Sequence, residues 1–380
     1  MNVFDRIHAH RRRRFVAALE KRADIRKILV VRNGLMGDVV FITPVLERLR
    51  RTYPHAVLDV VVSNRASELL RETSGIGTVY TLPSDRHLTD HLKLFWMLRK
   101  NCYDLEVILE DDSHYTLLSL LTFPKWVATF SNALGMLANY TIPWPKGSHA
   151  VTAELQPVME WTYNPPQNFR DTPMLSISPA EADEAAVTLL QADIRKEDFV
   201  ICFHIGCSEP HSVRQWLPER YGELADILVD KHGAKILFTG TETDVPEIER
   251  IRQRMNSPSV SLAGRTSLRQ LMAVLKRARI VVGPDTGALH IASALGSSTV
   301  MIMGYTDPAD TRPFEDLRSR VARVDLPCSP CAPRDPKPLQ WEICKKLRPA
   351  LCMQTLLTQQ VLAAIEELMD KPFMSVADRQ

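Results

Sequence analysis

Residues 27–38 read KILVVRNGLMGD: a short apolar run leads directly into a loop that contains two glycines and an aspartate. The run has the length and composition of a buried strand. Apolar Phe41, Val45 and Leu49 then recur at helical spacing, which predicts a helix over residues 39–52. A strand, a turn and a helix in this order form the unit from which parallel sheets covered by helices are built.

The same alternation continues along the chain in two series. Strands are predicted at residues 57–62, 78–82, 105–109, 199–204, 235–239, 279–282 and 299–303, and helices at 87–100, 218–232, 245–255, 267–276, 287–295 and 355–369. Proline-rich residues 164–168 separate the series and read as a linker. Ser178, Pro179 and Glu181 predict a capping box that starts another helix. The fold class is therefore α/β, with two doubly wound domains. If these domains face each other, they make a cleft that suits an enzyme joining two substrates.

The composition is that of a globular protein and excludes several classes. The chain has 380 residues, of which 45% are hydrophobic and 24% charged, with a net charge of +2. Disorder requires lower hydrophobicity and higher net charge, and nothing in the overall charge indicates nucleic acid. No window reaches the length of a membrane span, and no apolar segment follows the basic start as in a secretory signal. The sequence therefore predicts a cytoplasmic protein.

The first 26 residues form a predicted basic extension. Arg11–Arg14 is an unbroken run of arginines followed by residues that can continue as a helix. A solvated helix explains the run. Peripheral contact of Arg11–Arg14 with an anionic membrane surface or an anionic glycolipid explains it as well, since anionic surfaces attract such clusters.

The turn at residues 33–38 is one of several candidate functional segments. Gly34 and Gly37 permit close approach of a ligand, and Asp38 lies at the start of a helix. Asp38 is either a helix cap or a cleft-side carboxylate. A dinucleotide site would need the G-x-G-x-x-G spacing, which is absent.

A second segment, VVGPDTGALHIASALG at residues 281–296, joins a strand to a helix. The free amides of that helix near Thr286 and Gly287 form a phosphate cradle, flanked by Asp285 and His290. As a cap and a half-buried residue, Asp285 and His290 would have only structural roles. Their presence with threonine and glycine on one turn favours a binding role.

Two further segments follow predicted strands on the same side of the second sheet. In HIGCSEPHSVRQW, residues 204–216, Ser208 can donate hydrogen bonds and Arg214 can neutralise a phosphate. In FTGTE, residues 238–242, Glu242 either bridges ribose hydroxyls or caps a helix. Each segment alone is also compatible with a surface loop.

Together these segments resemble the ADP-heptose heptosyltransferases of lipopolysaccharide synthesis, glycosyltransferase family 9. The resemblance is carried by RNGLMGDVVFITPVLERLR, HIGCSEPHSVRQWLPERY, FTGTETD, LAGRTSLRQL and GPDTGALHIASALG, and it covers most of residues 27–355. It implies the GT-B fold, with residues 27–168 as acceptor domain and 169–355 as nucleotide-sugar domain, followed by a C-terminal helix and tail at 356–380. It also implies inverting transfer that needs no catalytic divalent metal.

The resemblance also implies roles for single residues. Asp38 matches the general base that takes the proton of the acceptor hydroxyl. The leaving diphosphate would be met by Ser208, Arg214 and the amides of 286–290. The remaining donor-binding residues are Glu242 for the ribose, Thr266 beside the adenine, and Asp285, Thr286, Gly287, Ala288 and His290 in the donor loop. Many members have serine at Gly34 and lysine at Arg214. The acidic run Glu110, Asp111 and Asp112 either faces the acceptor, assists Asp38, or is a polar strand end.

Four cysteines lie in the predicted loop 328–352. Cys328 and Cys331 form a C-x2-C knuckle, and Cys344 and Cys352 follow. This spacing is compatible with a structural zinc or iron site, and equally with four reduced thiols. The resemblance extends here to a branch that heptosylates autotransporter proteins and holds iron on four cysteines.

The sequence therefore predicts an inverting glycosyltransferase that uses ADP-heptose as donor and a lipopolysaccharide core as acceptor. A protein acceptor, or another nucleotide sugar on the same fold, is the alternative. A non-catalytic nucleotide- or carbohydrate-binding partner and a dinucleotide oxidoreductase are alternatives from other classes. Asp38 disfavours the first of these, and the missing glycine fingerprint disfavours the second.

Overall fold

The computed structural model describes residues 3–20, 24–82, 88–162, 171–207, 213–314, 317–332, 344 and 350–369. The chain forms two compact units, Met1–Leu175 and Ser176–Gln380. The predicted linker at 164–168 lies outside the described residues. None of the described helices is long and apolar enough to cross a membrane.

Unit 1 is built on a six-stranded sheet. Its strands are β1 (Lys27–Arg32), β2 (Val57–Ser63), β3 (Ile76–Leu82), β4 (Leu105–Ile108), β5 (Trp126–Phe130) and β6 (Tyr140–Ile142), and its helices are α1 (Val3–Leu19), α2 (Met36–Phe41), α3 (Thr43–Thr52), α4 (Leu88–Leu98), α5 (Ser113–Ser119) and α6 (Ala150–Met159). All strand pairs are parallel, in the order β3-β2-β1-β4-β5-β6. The apolar residues 28–31 of β1 are completely buried, as a central strand covered on both faces requires.

Unit 2 repeats this plan. Its strands are β7 (Val200–His204), β8 (Lys235–Thr239), β9 (Ser259–Ser261), β10 (Ile280–Pro284), β11 (Ser298–Ile302) and β12 (Ser319–Ala322), and its described helices are α7 (Pro179–Gln191), α8 (Pro218–His232), α9 (Val245–Arg254), α10 (Leu268–Arg277), α11 (Gly287–Leu295), α12 (Pro308–Thr311), α13 (Leu351–Thr355) and α14 (Thr358–Met369). The parallel order is β12-β11-β10-β7-β8-β9.

Counted within each unit, both sheets have the strand order 3-2-1-4-5-6 of the Rossmann fold. In such a sheet the direction of winding reverses between the first and fourth strands, and ligands bind beyond the carboxyl ends there. In unit 1 this point lies after β1 and β4, and in unit 2 after β7 and β10. The predicted α/β class with two doubly wound domains is confirmed.

The predicted helix over 39–52 is wrong in its bounds. The structure has α2 from Met36 and α3 from Thr43, and Ile42 separates them. Pro44 explains the break, because its ring and missing N–H cannot continue a helix from the preceding turn. Because α2 begins at Met36, Asp38 lies in its first turn, at the carboxyl end of β1.

Helix α1 packs on unit 1 instead of lying wholly in solvent. Phe15 and Leu19 are completely buried, and the Phe15 ring stacks on that of Tyr140 at 5.2 Å. Arg12 forms an ion pair with Glu160 at 2.5 Å. The arginine run therefore has contacts within the fold as well as an exposed side.

The capping box predicted at Ser178 is confirmed. The Ser178 hydroxyl accepts from the Glu181 N–H at 3.3 Å, and Glu181 accepts from the Ser178 N–H at 2.8 Å. Glu181 also pairs with Arg269 of α10, which holds the pKa of that carboxyl at about 2. The first helix of unit 2 is thereby fixed to its neighbour.

Candidate active site

A pocket of about 390 Å³ lies at the carboxyl ends of β1 and β4 in unit 1. It is lined by Asn33, Gly34, Leu35, Asp38, Ser63, Arg65, Glu110, Asp111, Asp112 and Tyr115. This is the point of the sheet where a Rossmann-like domain binds its ligand. Four carboxylates, a hydroxyl and a phenol face it, so the pocket suits a polyhydroxylated ligand rather than an apolar one.

Arg32, the last residue of β1, joins the carboxylates beneath this pocket. Its guanidinium lies 3.3 Å from Asp38, 3.1 Å from Glu110 and 2.9 Å from Glu154 of α6. The arginine and Glu154 side chains are 14% and 1% exposed, so these contacts are shielded from water. One cation therefore orients three acidic side chains from three different elements.

Asp38 is held by both of its carboxylate oxygens. Oδ1 faces Arg32, and Oδ2 accepts from the Leu35 N–H at 2.7 Å. The carboxylate therefore caps α2, as one interpretation of the sequence expected, and it also lines the pocket with a third of its surface exposed. A Cβ at Gly34 would lie 2.5 Å from Asp38 Oδ2, so the glycine leaves room for this carboxylate.

Burial and neighbouring charge separate the acids around Arg32. Burial raises the pKa of Glu154 to about 8, and the attraction of Arg32 offsets this only in part. Burial likewise raises the pKa of Glu110. Glu154 therefore carries a proton near neutral pH, which limits the excess of negative charge beside Asp38.

The three acids after β4 have different surroundings. Glu110 accepts from the Asn33 N–H at 2.7 Å and pairs with Arg32, so it joins the loops after β1 and β4. Asp112 caps α5 by accepting from the His114 N–H at 2.9 Å. Asp111 is exposed and lines the pocket. Of the three, Asp111 has the freest approach to a ligand.

In unit 2, Asp285 is the centre of the candidate donor site. It follows β10, is 5% exposed, and its carboxylate contacts His290 Nε2 at 3.1 Å. Thr306 and Thr311 donate to its other oxygen at 2.6 and 3.2 Å. Burial alone would raise the pKa of Asp285, but His290, Thr306 and Arg214 outweigh it and lower that pKa. The aspartate is thus a buried anion that fixes the loop before α11.

The first turn of α11 is available to an anion. Thr286 is the N-cap residue, and its hydroxyl is buried with no hydrogen-bond partner among the described residues. The amides of Gly287 and Ala288 have no partner within the helix, as in the first turn of any α-helix. Arg214 lies beside this turn, because its Nη1 donates to the Asp285 carbonyl at 3.2 Å. Two amides, a hydroxyl and a guanidinium therefore meet at one place.

Of the other predicted donor residues, the structure describes Glu242 and Thr266 but not Ser208. Glu242 is exposed in a 3₁₀ turn (Glu242–Asp244) after β8. Gly264 lies so close to this turn that a Cβ added to it would be 3.2 Å from the Glu242 Cα. The loop that contains half-buried Thr266 therefore adjoins Glu242. Ser208 lies outside the described residues.

Comparison with known proteins identifies this arrangement. A sequence profile described as glycosyltransferase family 9 (heptosyltransferase) matches residues 91–341, about two thirds of the chain. The chain belongs to glycosyltransferase family 9. A curated relative, the lipopolysaccharide core heptosyltransferase OpsX of Haemophilus influenzae, is 22% identical over 78% of this chain and 84% of its own length.

Solved structures agree on the fold. A family 9 glycosyltransferase from Veillonella parvula has a TM-score of 0.77 and 18% identity, covering 90% of this chain and 97% of its own. ADP-heptose lipopolysaccharide heptosyltransferase II of Escherichia coli has a TM-score of 0.72 and 22% identity, covering 90% and 98%. These similarities confirm the resemblance seen in the sequence and the GT-B fold class for this transferase.

The four cysteines of the transferase meet at one small cavity. Cys328, Cys331, Cys344 and Cys352 line a space of about 10 Å³, room for about one water-sized sphere. All four are free thiols, and burial, followed by the neighbouring cysteines, raises the pKa of Cys352 to about 11. Within the described ranges no three His, Cys, Asp or Glu side chains are arranged to hold a metal ion. The thiols thus share a cavity without the spacing of a metal centre.

This cavity is connected to the donor site, which the sequence did not indicate. Tyr305 lines the cavity, its ring lies 5.4 Å from the Arg214 guanidinium, and its carbonyl accepts from the Cys331 and Ala332 amides. The next residue, Thr306, donates to Asp285. The cysteine loop and the candidate donor site are therefore joined through Tyr305 and Thr306.

Sequence reasoning missed several residues of the site. Arg32 and Glu154 are 122 positions apart, and Thr306 is 21 positions from Asp285, so no local motif joins them. Asp244 lies where a Cβ on Gly206 or Gly240 would collide with it, and this proximity explains both glycines. Glu154 is the only charged residue of α6, and this was the one signal for it.

Proposed function

We propose that this glycosyltransferase moves a heptose from ADP-heptose to a hydroxyl of a lipopolysaccharide core, with inversion at the anomeric carbon. The observation that carries the proposal is the position of the two motif sets, each at the reversal point of its own Rossmann-like sheet. The names of the relatives supply the donor and acceptor classes.

In this proposal unit 2 binds the donor diphosphate. The amides of Gly287 and Ala288, the Thr286 hydroxyl and Arg214 surround a position for an anion. Asp285 holds the loop in place and has no room to approach a phosphate, because His290, Thr306 and Thr311 already occupy its oxygens. Glu242 is exposed and can accept from ribose hydroxyls, next to the loop of Thr266.

In unit 1 the acceptor occupies the pocket that Asp38 lines. The acceptor oxygen attacks the anomeric carbon from the face opposite ADP, and the bond between that carbon and the diphosphate oxygen breaks. ADP leaves with the electron pair, and the hydroxyl proton passes to Asp38. Arg32 keeps Asp38 oriented toward the pocket. No divalent metal enters this scheme, which remains a prediction from the family resemblance.

The acceptor class has a direct alternative, a serine of an autotransporter-type protein. Mass spectrometry of a core oligosaccharide and of a cell-envelope protein fraction after reaction with ADP-heptose separates the two. Peripheral membrane contact through Arg11–Arg14 also stays a proposal; Arg11 and Arg12 already contact the Met136 carbonyl and Glu160, so it would depend on Arg13 and Arg14.

We further propose a structural zinc or iron ion held by Cys328, Cys331, Cys344 and Cys352. The shared cavity supports this proposal, and the thiols would have to converge and lose their protons for it to form. Such an ion would order the loop whose amides bind the Tyr305 carbonyl.

Calorimetry with ADP, UDP and GDP tests the proposed donor class. We expect ADP to bind at least about tenfold more tightly than the others, since one base-specific hydrogen-bond set is worth about that much. Equal affinities, or no binding of ADP, would contradict the proposal.

A further inference from the structure

Helix α4 of unit 1 has an apolar face that the described part of the chain leaves exposed. Leu88, Leu92 and Trp96 follow one another at four-residue spacing and are 54%, 41% and 57% exposed. An adjoining face of the same helix buries Phe95 and Leu98 completely. A helix that is apolar on two sides normally has a partner on each.

An exposed loop extends this face. Phe123 is 69% exposed and has a φ of +54°, a left-handed conformation that side chains other than glycine rarely adopt. The Arg99 guanidinium lies 4.8 Å from the Trp96 ring and 5.2 Å from the Phe123 ring. We call Leu88, Leu92, Trp96, Arg99 and Phe123 the Trp96–Phe123 surface.

The charges next to this surface are mostly positive. Residues 88–101 and 123–125 contain Lys93, Arg99, Lys100 and Lys125. Lys93 pairs with Asp90 at 3.4 Å and Lys125 with Asp104 at 2.5 Å, which leaves an excess of two positive charges from Arg99 and Lys100. The Lys93 and Lys125 side chains are 79% and 68% exposed. Isolated apolar residues on a surface need no explanation, but aromatic rings with leucines and a rim of lysine and arginine mark an interaction site.

We propose that the Trp96–Phe123 surface seats unit 1 on a bilayer that contains anionic lipid. Tryptophan and phenylalanine insert at the level of the headgroups, and the long basic side chains reach anionic headgroups while their stems cover apolar area. A second copy of the chain suits the surface less well, because a symmetric contact would bring Arg99 and Lys100 of both copies together.

Helix α4, which carries most of this surface, is linked through its buried side to the acceptor pocket, and this gives the docking a consequence. His91 of α4 contacts His114 of α5 at 3.0 Å, and the next residue, Tyr115, lines the pocket beside Asp38. Seating α4 on a bilayer would thus bring the pocket within reach of a hydroxyl close to the membrane surface. The docking does not depend on the proposed transfer reaction, and vesicle binding tests it separately.

Sedimentation of the full-length protein with vesicles tests this inference. The vesicles are phosphatidylcholine alone, or equal parts of phosphatidylcholine and phosphatidylglycerol. We expect binding to the mixed vesicles that weakens in high salt, and at least about a tenfold loss in the variant Trp96→Ser/Phe123→Ser, because two large apolar side chains no longer leave water. The variant Lys93→Gln/Lys100→Gln should lose binding to the mixed vesicles more than to neutral ones.

Two matched controls accompany these variants. Val187→Ser/Leu190→Ser removes residues of similar exposure, 56% and 62%, from α7 of unit 2, and should leave vesicle binding unchanged. Arg13→Gln/Arg14→Gln tests the N-terminal arginines. A parental circular dichroism spectrum and a parental melting temperature show that each variant is folded in both units.

Several results would overturn the inference. The inference is wrong if the parent protein does not bind the mixed vesicles. It is also wrong if the Trp96→Ser/Phe123→Ser variant binds them as tightly as the parent. A loss seen only in Arg13→Gln/Arg14→Gln would assign the contact to α1. A dimer of the parent that the Trp96→Ser/Phe123→Ser change dissolves, without vesicle binding, would assign the surface to a second copy.

Discussion

Glu154 is the residue whose protonation distinguishes the network around Arg32 from an ordinary ion pair. Its side chain is 1% exposed and its pKa is raised by burial to about 8. A carboxyl that binds its proton more tightly in the folded state stabilises the fold fully below its unfolded pKa. That contribution is lost as pH rises toward 8.

Glu154→Gln should therefore gain stability relative to the parent as pH increases from 5 to 8, by about 2–4 °C for each 1 kcal/mol. Thermal unfolding at intervals of pH measures the difference. Glu160→Gln is the control, because the pKa of Glu160 is lowered by Arg12 and its contribution stays constant over that range. A Glu154→Gln difference that is flat with pH would mean that Glu154 is ionised throughout.

Arg214 supplies the second prediction at this scale. Arg214→Ala should weaken ADP binding by about ten- to a hundredfold, the effect of one charged hydrogen bond. Calorimetry measures the change, and Arg254→Ala, which removes an exposed arginine paired with Glu219, is the matched control. Equal ADP affinity in Arg214→Ala and the parent would remove Arg214 from the donor site. His290 contacts Asp285 and is 6% exposed, so its replacement should weaken donor binding indirectly, through the loop.

Among the elements, the segment from Gly304 to Ala332 connects the cysteine cavity to the donor site. Ser329 donates to the Gly304 carbonyl at 2.7 Å, and the Cys331 and Ala332 amides bind the Tyr305 carbonyl at 3.1 and 2.9 Å. Ordering the cysteine loop should therefore also order the loop after β11, which carries Tyr305 and Thr306.

If the cysteines hold a metal ion, its removal should weaken ADP binding as well as loosen the loop. Elemental analysis before and after chelation gives the metal content, and calorimetry the ADP affinity. The control is Cys102→Ser, which removes an exposed thiol of unit 1 and should change neither quantity. Folded protein with no metal and full ADP affinity would leave the four cysteines as thiols of an ordinary loop.

The sequence predicted some helices and strands with their correct bounds and missed others. Helices α8 and α11 and strand β8 have the predicted bounds, because each combines a clear apolar pattern with proline or glycine at its ends. Strands β5, β6, β9 and β12 were missed: all four have five residues or fewer and lie at or next to a sheet edge, so their apolar patterns are too short to indicate a strand. Asp38 could be found from its turn, whereas the contacts of Arg32 with Glu154 depend on how α6 packs.

On the scale of the whole molecule, two Rossmann-like units divide the proposed work. In the proposed function, unit 2 carries the residues for the nucleotide, and unit 1 carries the base and its pocket. This division predicts that binding and chemistry can be separated by substitution. A change at Asp38 alters unit 1, and the ADP-binding residues all belong to unit 2.

Transfer by Asp38→Asn, with ADP affinity measured on the same sample, tests this division most directly. The asparagine keeps the size of the side chain but cannot take the acceptor proton. We expect ADP affinity within about twofold of the parent and a rate of heptose transfer lower by about a hundred- to ten-thousandfold. Parental transfer by Asp38→Asn would contradict the account, because Asp38 would then be only the cap of α2.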